Sequence, residues 1–73
     1  MPSRDGAAIR RERLRMIVEL VRKEPGIRIA RIQVLMAMRT GLTAARVSEY
    51  VQELVRGGLL VGVDGGFEVA KKR

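Results

Sequence analysis

Apolar residues recur at helical spacing in three stretches of this chain, and two short apolar runs follow them. Leu14, Ile17, Val18 and Val21 fall on one face of a helix predicted over residues 6–23, with Ile9, Met16 and Leu20 forming a second, offset stripe. Residues 1–5 are expected to form a loose basic arm in which Ser3 or Asp5 caps the helix. "KEPG" closes it, because Pro25 disfavours helical geometry at Glu24 and Gly26 permits a turn. "IRI", Ile27 to Ile29, alternates but is too short to be more than an edge strand. A second helix is predicted over 30–39. Its Ile32, Val34, Leu35, Met36 and Met38 leave it apolar on most sides, more than a domain this small can bury.

"RTGL" breaks the pattern at Gly41, and Thr43 is a good N-cap for a third helix over 44–56. Val47, Val51, Leu54 and Val55 face inward from it, and Gly57-Gly58 stop it. "LLVGV" and "FEVAK" then flank "DGG", a strong hairpin signal. A three-residue loop pairs Val63 with Phe67 and sets Val61 opposite Val69. A two-residue Asp64–Gly65 turn shifts that register, and both are open to this sequence. The predicted order is helix, short strand, helix, turn, helix, hairpin: a mostly α single domain over residues 1–73, with a basic tail at 71–73.

Charge narrows the class of partner. The chain carries +7 formally over 73 residues, and twelve of its fifteen basic residues are arginine. A basic excess of this size on a short chain favours an anionic partner, most simply nucleic acid, and the arginine fork suits phosphate and guanine. Cysteine and histidine are both absent, which removes disulfides, the commonest zinc ligands and the commonest general base. The acidic residues are scattered and the glycines sit at turns rather than in a phosphate-cradling loop. No enzyme activity, metal or cofactor is therefore expected, and no small-molecule ligand is evident. No apolar run approaches the about 18 residues of a membrane span, and no secretory segment opens the chain. A cytoplasmic, nucleoid-associated protein is the expectation.

The order of elements, with "TGLTAARVSEYVQELVRGGLL" as turn, capped helix and first wing strand, resembles the winged helix-turn-helix family over about residues 10–70. The resemblance implies double-stranded DNA as partner, with the helix over 44–56 in the major groove and its first two turns against base edges. Those turns offer Thr43, Ala44, Ala45, Arg46, Glu49 and Tyr50. The two alanines allow close approach and contact with thymine methyls. Arg46 suits guanine, and Glu49 suits cytosine N4. Thr43 and the free amides behind it suit a phosphate, as does the Tyr50 hydroxyl. Arg46 and Glu49 are equally spaced for an i,i+3 ion pair, and Tyr50 lies between the core stripe and the exposed face, where packing competes with contact.

Arg28, Arg31 and Arg39, around the second helix, are implied as backbone contacts; the tail Lys71, Lys72 and Arg73 is either a further backbone contact or plain disordered chain. The sequence departs from the family at the wing, whose tip, Asp64-Gly65-Gly66, is acidic and unsuited to the minor groove. A homodimeric transcription regulator is the function implied, with Ile9, Met16 and Leu20, joined by Ile32 and Met36, as the dimer seam. A winged-helix module for protein assembly or RNA binding is the alternative, and a nonspecific chromatin protein is a third.

Overall fold

In a computed structural model of the chain, which describes residues 4–71, three helices are followed by a two-stranded antiparallel hairpin. The helices are α1 (Arg4–Lys23), α2 (Ile29–Thr40) and α3 (Ala44–Arg56); the strands are β1 (Leu60–Val63) and β2 (Gly66–Val69). This is the mostly α architecture with a C-terminal wing that the periodicity predicts. Helix α1 starts at Arg4, so Asp5 lies within the helix instead of capping it and residues 4–5 are not a loose arm. Met1–Ser3, with the expected Ser3 cap, and Lys72–Arg73 lie outside the described residues.

One core joins all five elements. Ile17, Val21, Ile32, Met36, Val47, Val51 and Leu60 are wholly buried, and Leu20, Ile27, Tyr50 and Leu54 complete the cluster. Each helix contributes its inward stripe, and β1 adds Leu60. Leu20 belongs to this core and not to an offset stripe, because it lies beside Ile17 and Val21 on the same face of α1. Among the described residues no polar or charged side chain is buried. The cohesion is therefore that of apolar packing, worth about 25 cal/mol per Å² removed from water.

Local chemistry sets the boundaries of the elements. Helix α2 ends at Thr40, whose hydroxyl donates to the Met36 carbonyl at 2.7 Å and accepts from the Leu42 N–H at 3.2 Å. Gly41 then turns left-handed at φ 77°. Helix α3 ends in a Schellman motif: Gly58 N–H bonds the Val55 carbonyl at 3.0 Å and Leu59 N–H the Leu54 carbonyl at 2.9 Å. The chain thus leaves α3 directly into β1.

The hairpin takes the two-residue turn. Asp64 (φ 47°) and Gly65 (φ 84°) both occupy left-handed backbone. This is a type I′ geometry, whose twist matches that of the flanking strands. The pairs are Leu60 with Val69, Val61 with Glu68, Gly62 with Phe67 and Val63 with Gly66. The alternative that sets Val61 opposite Val69 is therefore not realised, and Val61 stands on the outward face, 42% exposed.

The "IRI" segment contributes one bridge. Phe67 N–H donates to the Ile27 carbonyl at 2.9 Å and Gly26 N–H donates to the Phe67 carbonyl at 2.8 Å. Ile29 already opens α2. Strand β2 is consequently bonded on both edges, to β1 and to the Gly26–Ile27 turn.

Candidate nucleic-acid interface

Helices α2 and α3 pack against each other across the short turn Gly41-Leu42-Thr43. The Thr43 hydroxyl accepts the Arg46 N–H at 3.2 Å, so Thr43 is the N-cap of α3. Gln33, on α2, donates to the Ser48 hydroxyl at 2.9 Å and to the Ala44 carbonyl at 3.3 Å, fixing the start of α3 against α2. Thr43→Ala removes the cap and is expected to cost about 0.5–2 kcal/mol in chemical denaturation, with α3 fraying first by hydrogen exchange.

The face of α3 opposite Val47, Val51 and Leu54 is polar and exposed. Ala45, Glu49, Gln52 and Arg56 follow one another at spacings of four, three and four, and Ala44 and Arg46 lie at its N-terminal flanks. Ser48, Glu49, Gln52, Glu53 and Arg56 line an open groove of about 430 Å³ along this face. Gln52, Arg56 and Ser48 were not among the residues the first two turns suggested. The outward period counted from Ala45 is the signal that would have found Gln52 and Arg56; Ser48, half-buried and bonded to Gln33, lies off it.

Ion pairs cross this face. Arg46 Nε stands 3.8 Å from Glu49 Oε1, the i,i+3 pair its spacing allows, with both side chains largely in solvent. Arg10 of α1 pairs with Glu53. Exposed pairs of this kind contribute little to stability, about 0–1 kcal/mol.

The remaining candidates divide. Tyr50 is 8% exposed and belongs to the core: three residues after Val47 and four before Leu54, it falls on the buried stripe, so it is a packing residue. The Arg28 guanidinium is laid against the wing turn, with Nη1 3.2 Å from the point where a Gly65 Cβ would stand. Arg31 is tied to Glu24 at 3.0 Å. Arg39 and Lys71 are exposed; Lys72 and Arg73 lie outside the described residues.

The residues expected at a dimer seam divide as well. Ile32 and Met36 are wholly buried and Leu20 is 7% exposed, because α2 turns its Ile32–Met36 face onto α1 and α3. These three are core residues and have no surface to give to a second chain. Ile9, 47% exposed, remains outside the core, and Met16 is half-buried and packed against its edge. The apolar excess of α2 emerges elsewhere, at Val34 (56% exposed) and Met38 (77% exposed).

Charge is unevenly spread. Helix α1 has seven basic and three acidic residues, a net +4; α2 has Arg31 and Arg39, +2. Helix α3 balances Arg46 and Arg56 against Glu49 and Glu53, and the hairpin holds Asp64 and Glu68, −2. Among the described residues, no group of three His, Cys, Asp or Glu side chains is placed to hold a metal ion, and no helix is long and apolar enough to cross a membrane. Comparison with protein-family models, with curated proteins and with solved structures finds no match for this chain.

Proposed function

We propose that this protein binds double-stranded DNA, with the N-terminal half of α3 in the major groove. The observation that carries the reading is the outer face of α3. It is polar and exposed at Arg46, Glu49, Gln52 and Arg56, on a helix whose start is held by the Thr43 cap and the Gln33 hydrogen bonds. Ala44 and Ala45 let the backbone come close to base edges. Arg46 supplies donors suited to guanine and Glu49 an acceptor, while Gln52 and Arg56 lie further along the same outer face.

Because α3 is neutral, attraction to phosphate comes from other elements, with Arg39 and Lys71 exposed and Arg31 in a solvent-facing pair. The function best fitting this arrangement is that of a transcription regulator. A homodimer built through Ile9 and Met16 would present two α3 helices about 34 Å apart.

Selection of bound fragments from a random duplex pool, with the mass measured in solution, tests the reading; a consensus is expected, palindromic if the protein is a dimer. Arg46→Ala is expected to relax the preference at one position and to cost about 1–3 kcal/mol there. Recovery of fragments without any consensus, or binding indifferent to salt, sinks it.

The exposed Val34 and Met38, four residues apart on α2, favour a second reading, a module that assembles with another protein. In that case Arg46→Ala leaves the interaction intact and Met38→Asp abolishes it.

A further inference from the structure

The electrical weight of the molecule does not lie on α3. Arg11, Arg15 and Arg22 are exposed and share the side of α1 turned away from the buried Ile17, Leu20 and Val21. Eleven residues of helix place them along about 16 Å, a length over which duplex DNA carries about ten phosphate charges at one per about 1.7 Å. Glu12 and Glu19 flank the row; Glu19 reaches Arg22 only at 3.9 Å, with both side chains about half in solvent or more. The helix as a whole keeps its net +4.

We propose that this face of α1 is a second contact surface for duplex DNA, gripping phosphate without reading bases, so that one molecule holds two duplex segments. The joining of two segments rests on α3 binding the first. Helices α1 and α3 bury their inward faces in the same core, so their outer faces point to different sides and a single straight duplex does not lie along both.

Other polyanions fit this face less well. Single strands are held by stacking on exposed aromatic rings, and here Tyr50 is buried and Phe67 half-buried, with no other aromatic in the chain. An interfacial helix lays an apolar face into lipid, whereas the apolar face of α1 is spent in the core. The exposed large apolar residue of α1 among those described, Ile9, stands outside the arginine row.

The test tethers one duplex carrying the selected site to a surface, adds the full chain, and measures capture of a second, labelled duplex of unrelated sequence. The wild type is expected to capture it. Arg11→Glu/Arg15→Glu/Arg22→Glu, its fold checked by circular dichroism and thermal unfolding, is expected to remain on the tethered site while capture falls at least about ten-fold. The corresponding triple lysine variant is expected to stay within about two-fold of wild type. Capture by the glutamate variant equal to wild type overturns the proposal, including the case in which two α3 helices of a dimer do the joining. Preferential capture of an RNA hairpin or of phosphatidylserine vesicles also overturns it. If α3 is not a reader, the wild type binds the selected site no better than an unrelated duplex. The glutamate variant then loses that unselective binding if the α1 face is right, and keeps it if the face is wrong.

Discussion

Gly66→Ala is expected to destabilise the protein by about 3 kcal/mol or more, the largest loss among its glycine-to-alanine changes. A Cβ on Gly66 would stand 2.1 Å from the Gly26 carbonyl oxygen, 2.6 Å from its carbon and 2.9 Å from the Ile27 oxygen. All three are main-chain atoms of the turn that β2 is bonded to, so no side chain can swing aside. Relief requires the hairpin to lift from the Gly26–Ile27 turn. That breaks the two hydrogen bonds Phe67 makes there and loosens Ile27, which is 2% exposed in the core. A domain of this size has about 4–11 kcal/mol in total, and each kcal/mol moves its midpoint by about 4–8 °C. Thermal unfolding is therefore expected to shift down by more than about 12 °C. Gly6→Ala, at a helical glycine whose added Cβ meets nothing within 4 Å, is the control and is expected to be neutral or slightly stabilising. A Gly66→Ala midpoint within a few degrees of wild type would mean that β2 does not lie against Gly26.

Ile32→Ala is expected to cost about 2–5 kcal/mol, the range for emptying a buried aliphatic site. Ile32 has no exposed surface and sits where α2 meets the other two helices. The loss is expected to be the same at low and high protein concentration, since the contacts removed lie within one chain. A cost that grows on dilution would instead place Ile32 between two chains. Ile9→Ala supplies the complement: about half exposed and outside the core cluster, it is expected to leave the unfolding of the monomer unchanged and to affect only the mass in solution.

Much of the fold was legible in the sequence because helical period and punctuation agreed. The third helix has the bounds that Thr43 and Gly57 imply, since a cap and a glycine stop act locally. The first helix begins earlier than expected because nothing in "MPSRD" forbids helix after Pro2, and a candidate cap such as Asp5 is equally tolerated in a first turn. The hairpin register was ambiguous because "DGG" offers two glycines. What decides it is the approach of Gly66 to Gly26, a long-range contact invisible to local reading.

The site was less legible than the fold. Periodicity separates inward from outward residues, and it put Arg46 and Glu49 outside correctly. It also put Leu20, Ile32 and Met36 at a seam, because a helix with too many apolar residues does not say which of them face the core. Only the packing of α1, α2 and α3 around one another assigns Met36 to the interior and Met38 to solvent. Nor does net charge reveal its address: +7 is a property of the chain, while the neutrality of α3 and the excess on α1 follow from where the helices fall.

The double bonding of β2 also bears on how the molecule comes into being. Phe67 closes on Gly26 and Ile27 across about forty residues, whereas the helices need only near neighbours to form. During synthesis all three helices leave the ribosome before the strand that fastens the first turn to the wing. A nascent chain ending at Val63 has Leu60 without its partner Val69 and an unclaimed carbonyl at Ile27. Arrested chains of increasing length are expected to resist protease abruptly, once Val69 has emerged, and not in three helical steps.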